Sequence, residues 1–137
     1  MRRTLSYLLS ALMMTTVATG CATTIEASTT APALGSDAKI VAKKGKTGNF
    51  EISISIINLA PAARLDEGAT AFVVWVVHKD QPAVRSGSLD YDEKDRRGEL
   101  QVTSPDSSFT ILITLEKTGQ VSSPGGKRIL EQAVTVR

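Results

Sequence analysis

The chain is 137 residues long and carries 16 Lys and Arg against 14 Asp and Glu, a formal net charge of +2. Arg2 and Arg3 supply the whole excess, so the chain beyond residue 20 is formally neutral. That balance, with aromatics at only 4% and no basic run among them, excludes the electrostatic footprint of a nucleic-acid binder. The length suits one domain. A lone cysteine allows no internal disulfide, so stability must come from the core.

Taken from the N-terminus, Arg2 and Arg3 form a positive start, and Leu5 to Val17 is a mostly apolar run broken by a few hydroxyls. The small residues Ala18, Thr19 and Gly20 then lead to Cys21. This is the layout of an export signal, too short and too poorly flanked for a permanent transmembrane helix. The tetrad Ala18-Thr19-Gly20-Cys21 resembles the lipobox of bacterial lipoproteins. The resemblance implies that residues 1–20 are a signal peptide cleaved between Gly20 and Cys21. It also implies that the Cys21 thiol is acylated and that Cys21 becomes the mature N-terminus. With Ala22 rather than Asp after the cysteine, it implies sorting to the outer membrane, facing the periplasm, in a Gram-negative cell. Each buried CH₂ contributes roughly 0.8 kcal/mol, so several acyl chains on one residue make a firm anchor.

Residues 22–37 read ATTIEASTTAPALGSD, rich in Thr, Ala and Ser, with no apolar period. Such a stretch is expected to bury too little surface to offset its ordering entropy. Residues 21–37 are therefore expected to be a lipidated cysteine and a flexible tether, and 38–137 the folded domain.

Beyond residue 38 the chain consists of short β-type runs between turn signals. "KIVAKK" is followed by the turn residues of "KGKTGN", and "FEISISII" alternates, with Phe50, Ile52, Ile54 and Ile56 on one face. "AFVVWVV", Ala71 to Val77, is apolar on both faces, with Trp75, Val73 and Val77 on one and Phe72, Val74 and Val76 on the other. "VRSGSLDYD" and "GELQVT" flank a charged hairpin turn at Asp92–Arg97. "FTILITLEK" alternates again, Gly125-Gly126 marks a turn, and "ILEQAVTV" closes the chain. About seven antiparallel strands over this length predict an all-β, two-sheet β-sandwich of immunoglobulin-like type, ahead of a small open barrel. Trp75, on the third predicted strand, is expected to be the core anchor that such sandwiches carry there. The other face of that strand is expected to lie under loops or a partner.

The order Leu59-Ala60-Pro61, Phe72–Val77, Gly87, Leu89, Gly98, Leu100, Phe109–Glu116, Pro124-Gly125 and Ile129-Leu130 is similar to a set of uncharacterised bacterial envelope lipoproteins. It also resembles the extracytoplasmic domain of anti-sigma-K-type factors. The resemblance implies a β-sandwich in an extracytoplasmic location. It carries over no catalytic residue, and no anti-sigma activity, which would need a cytoplasmic sigma-binding domain and a membrane helix.

The motifs that could carry chemistry are few. His78 is the sole histidine and ends the apolar run beside Lys79-Asp80. Asp80, Ser86 and Ser88 are neighbours only in sequence, and "SGSLD" is not the nucleophile elbow of a serine hydrolase. "KGKTG" lacks the first glycine of a phosphate-binding loop, where Ile40 stands, and no helix follows it. Asp90, Asp92 and Asp95 are weak metal candidates. Lys94, Arg96 and Arg97 sit among them, and the spacing of a calcium loop is absent. No metal, cofactor or catalytic residue is expected. The expected function is a non-catalytic binding or structural module of the cell envelope, attached to the membrane through Cys21 and engaging another envelope protein or a glycan. The alternative is a ligand-binding or hydrolytic lipoprotein that uses loop residues near His78 together with the acidic hairpin at 90–95.

Overall fold

The structure, a computed structural model, describes residues 21–137; the expected signal peptide, with Gly20, lies outside the described residues. Among the described residues, nine strands form two antiparallel sheets. They are β1 (Thr23–Ser28), β2 (Asp37–Lys44), β3 (Phe50–Ile57), β4 (Ala71–Val77), β5 (Val84–Ser88), β6 (Asp90–Asp92), β7 (Arg97–Ser104), β8 (Ser108–Glu116) and β9 (Lys127–Thr135). One helical turn, α1 (Ala62–Leu65), sits in the β3–β4 connection. The first sheet has the order β1-β2-β3-β7-β6 and the second β5-β4-β8-β9. Leaving β1 aside, this is the immunoglobulin arrangement of strands A-B-E-D facing C′-C-F-G.

Period-two alternation builds the space between the sheets. Ile52, Ile54 and Ile56 of β3 meet Phe72, Val74 and Val76 of β4, with Phe109, Ile111, Ile113 and Leu115 of β8 beside them, all buried in one cluster. Opposed pairs such as Val74 with Ile113 and Phe72 with Leu115 put β-branched and aromatic side chains side by side on that inner face.

The structure departs from the sequence reading in three places. The first is the expected tether. Residues 23–28 are strand β1, paired with β2 from Thr23↔Ala42 to Ser28↔Asp37. Ile25 and Ala27 point inward against the core, while Thr24, Glu26 and Ser28 face solvent. The turn that follows is equally fixed. Thr29 is buried and its hydroxyl donates to the Ala33 and Ser36 carbonyls, the Thr30 amide donates to Ile129 O at 2.8 Å, and the Ser36 hydroxyl donates to Asn58 O at 3.0 Å. The composition argument fails here because β2 offers an unpaired edge. Backbone hydrogen bonds to it, with Ile25 and Ala27 half-buried, are enough to order a Thr-rich segment of good β-propensity.

The second departure is the segment "VRSGSLDYD", which serves both sheets. Its first part is β5 beside β4, and its second is β6 beside β7. The chain crosses between sheets at Leu89, whose side chain is buried and whose amide donates to Phe72 O at 2.8 Å.

The third concerns Trp75. It is fully buried but lies on the outer face of its sheet, in a separate cluster with Val73 and Leu112. The face that enters the inter-sheet core is that of Phe72, Val74 and Val76. The β8–β9 loop covers the outer face, with Val121 packed on the cluster. Trp75 Nε1 donates to Thr114 Oγ1 at 2.9 Å, and Thr114 donates in turn to Glu116 Oε1 at 2.8 Å. The same Glu116 oxygen accepts the amides of Gly125 and Gly126, each at 3.0 Å, so a buried carboxylate latches the loop over the tryptophan. Gly126 is required for this approach, since a Cβ there would stand 1.6 Å from Leu115 O. Arg85 adds a second tie, donating to Gly119 O at 3.0 Å.

Two substitutions test these assignments. Ile25→Ala should lower stability in urea by about 1–2 kcal/mol, less than the roughly 2–5 kcal/mol of a fully buried isoleucine because Ile25 is only half-buried. No loss at all would return the segment to a tether. Glu116→Ala leaves three donors without their acceptor and should cost about 2–4 kcal/mol. It should also red-shift the emission of Trp75, the sole tryptophan, as the loop lifts.

Candidate functional site

The strand register sorts the chemistry-bearing residues to the two ends of the sandwich. β4 ends near the start of β8, with Val77 opposite Thr110, and β7 ends near the start of β3, with Ser104 opposite Phe50. His78, the Gly45–Asn49 turn and the Ser104–Ser108 turn therefore share one end. Cys21 shares it too, because β1 starts opposite Ala42, two residues before β2 ends. The acidic hairpin joins β6 to β7 at Asp92↔Arg97, at the other end. The length of β7 separates the two groups by roughly 23 Å at 3.3 Å per residue.

Cys21 is exposed, and only Ala22 stands between it and the first strand. His78 is mostly shielded, with its side chain 14% exposed. Its Nδ1 lies 3.0 Å from an Asp106 carboxylate oxygen, but off the line a hydrogen bond needs, so that nitrogen is buried without a hydrogen-bonding partner. The contact links the end of β4 to the β7–β8 turn. No serine joins it. Ser86 is the extra residue of the bulge in β5 and donates to Val84 O within its own strand, and Ser88 pairs opposite Val73, five residues before the histidine. Asp80 takes a left-handed conformation, φ 58°, in the His78–Gln81 turn, where it is exposed.

The hairpin forms a structured tip of another kind. Asp92 Oδ1 accepts the Asp95 amide at 3.1 Å, which closes the turn locally, and Arg97 pairs with Glu99 at 2.6 Å. Asp90 and Asp92 point outward and Tyr91 inward. Among the described residues no three His, Cys, Asp or Glu side chains converge to hold a metal. The "KGKTG" segment is a tight turn closed by the Gly45 amide on Asn49 O at 2.7 Å, with Gly48 in the left-handed region at φ 89°.

Tyr91 secures the far end. Its hydroxyl donates to Leu59 O at 2.6 Å, and its ring packs on Phe72 with centroids 5.3 Å apart. Burial raises its pKa above the ordinary 10.0, and the carboxylate of Glu93 pushes the same way, while Arg96 and Arg64 oppose them.

The grooves on the surface are open. One of 530 Å³ runs over the outer face of the five-stranded sheet between Glu26, Lys39, Ser55, Ile57 and Arg97. Another, of 780 Å³, lies over the hairpin and is lined by Asp90, Asp92, Glu93, Asp95 and Glu99 together with Lys94 and Arg97. Neither brings His78 to the acidic residues, so the alternative that needed both in one site is not assembled. The elements sequence reasoning passed over are Thr114 and Glu116. Their signal was present as two polar residues at period-two positions in the otherwise apolar "FTILITLE", with a Gly-Gly pair ten residues on.

Fold and site together define an immunoglobulin-like β-sandwich with an exposed cysteine at the end where its first strand begins. No protein-family model, curated protein or solved structure matches the chain.

Tyr91 gives a test by pH. Its folded-state pKa is raised, so the stability it contributes is fully present below pH 10.0 and is lost as pH rises through the folded value. In the chain from residue 21 onward it is the only tyrosine, so absorbance near the phenolate band should titrate in one step above 10.0. Tyr91→Phe should remove that step and cost about 1 kcal/mol for the lost hydrogen bond.

Proposed function

We propose that this protein is a bacterial envelope lipoprotein, anchored through acyl chains on Cys21. On this reading it is a non-catalytic sandwich that engages another envelope protein, on the periplasmic side of the outer membrane. The observation that carries the reading is the position of Cys21. It is the only cysteine, it follows an export-type leader, it is exposed, and folded structure begins two residues later. The earlier likeness to envelope lipoproteins and to anti-sigma-K-type extracytoplasmic domains belongs to the same proposal and rests on the residues quoted for it.

A protein partner is favoured over a glycan by what the surface offers. Phe72, Trp75 and Phe109 are buried, and Phe50 and Tyr91 half-buried, so among the described residues no aromatic face is exposed for a sugar ring to stack on. Strand edges are open instead. The nine-residue β9 ends its sheet, and its outer side receives a hydrogen bond from Thr30 at Ile129 O, near one end of the strand. An extended segment of another chain can add there through main-chain hydrogen bonds.

Cys21→Ser should shift the protein from the membrane to the soluble fraction and abolish labelling by radioactive fatty acid. Continued partitioning of that variant into detergent phase would sink the anchor.

A further inference from the structure

The pairing of β1 removes the slack that a tether would have supplied, and this has a geometric result. Two residues of chain, from Cys21 to Thr23, reach at most about 7 Å. The end of the sandwich where β1 starts must therefore lie against whatever holds Cys21. That end carries Lys44, Lys46, Lys79 and Arg137, all exposed, and none of them has a carboxylate within ion-pair distance among the described residues. Arg137 is brought there by the Val136 amide, which donates to Ser107 O at 2.8 Å. Of the acids at the same end, Glu51 is paired with Lys43, which leaves Asp80 and Asp106 against the four cations. The opposite end holds the hairpin, where Asp90, Asp92, Glu93 and Asp95 outnumber the interleaved Lys94, Arg96 and Arg97 by one. A chain that is formally neutral beyond residue 20 is thus polarised along its strands, with the cationic end beside the cysteine.

Resting on the lipid-anchor reading, we propose that the cationic end, with Lys44, Lys46, Lys79 and Arg137, sits directly on an anionic phospholipid surface. The domain then stands upright with its acidic hairpin held away from the bilayer. Cations within a Debye length of anionic headgroups are attracted, and the short connection keeps them inside that distance. The hairpin end, with its small excess of acid, is presented to the periplasm. A domain on a sixteen-residue tether would sample all orientations; a domain spliced to its anchor through one residue does not.

The test uses the full acylated protein, purified from bacterial membranes and reconstituted in vesicles. With Cys21 acylated, Thr47→Cys and Lys94→Cys each introduce the single reactive thiol for a fluorophore, one at each end. Quenching is read with headgroup-spin-labelled lipid. In phosphatidylcholine vesicles containing phosphatidylglycerol, the label at position 47 should be quenched several-fold more than the label at 94. The contrast should shrink in pure phosphatidylcholine, and should vanish when a flexible Gly/Ser segment is inserted between Ala22 and Thr23. Equal quenching of the two labels on vesicle-bound, acylated protein would overturn the orientation while leaving the anchor intact. An undiminished contrast in neutral vesicles would overturn the role given to charge. A Cys21 found unacylated by mass spectrometry would overturn the anchor, and the orientation with it.

Discussion

The constraint on which the rest of the structure depends is that β4 and β8 are buried on both faces. A strand pair of this kind must be covered twice. The five-stranded sheet covers one face and forms the inter-sheet core of Ile, Val and Phe side chains. The β8–β9 loop must cover the other, and a loop has little apolar surface with which to do so. The solution is polar. Glu116 is placed at the buried end of β8, accepts two loop amides and the Thr114 hydroxyl, and through Thr114 satisfies the indole N–H of Trp75. Buried donors and acceptors are thereby paired, which is what makes the arrangement affordable in a dry environment. Val121 then closes over Trp75 and Leu112.

The second organising feature is the treatment of the sheet edges. β1 extends the five-stranded sheet past the strand where an immunoglobulin constant domain would stop, and the turn after it reaches across to β9 through Thr30. On the opposite side the chain crosses between sheets at Leu89 and binds the Phe72 carbonyl there. These ties join the two layers at their margins. They also fix Cys21, two residues before β1, at one end of the domain.

The sandwich was legible because period two is a local property. "FEISISII" and "FTILITLE" state their buried faces outright, and the Asp92–Arg97 turn and the Gly45–Asn49 turn fall where their residues placed them. Trp75 was legible as buried but not as to where, since alternation separates two faces and is silent on which one meets the opposing sheet. β1 was hidden because its order comes from the edge of β2 and not from its own composition, which holds one isoleucine among threonines and alanines. Of the residues raised as chemistry, His78 and the acidic hairpin looked close at twelve residues apart. The crossing at Leu89 and the full length of β7 send them to opposite ends.

By itself the amino-acid sequence determined the sandwich class, the turn positions and the singular place of Cys21 after an export-type leader. All of these follow from side-chain alternation, turn chemistry and spacing within a few residues. Tertiary structure alone decided which face of β4 is the inner one, that residues 23–28 join a sheet, and that Lys44, Lys46, Lys79 and Arg137 gather beside the cysteine. Those outcomes depend on which strands become neighbours, and strand pairing is set by the burial available across the whole domain.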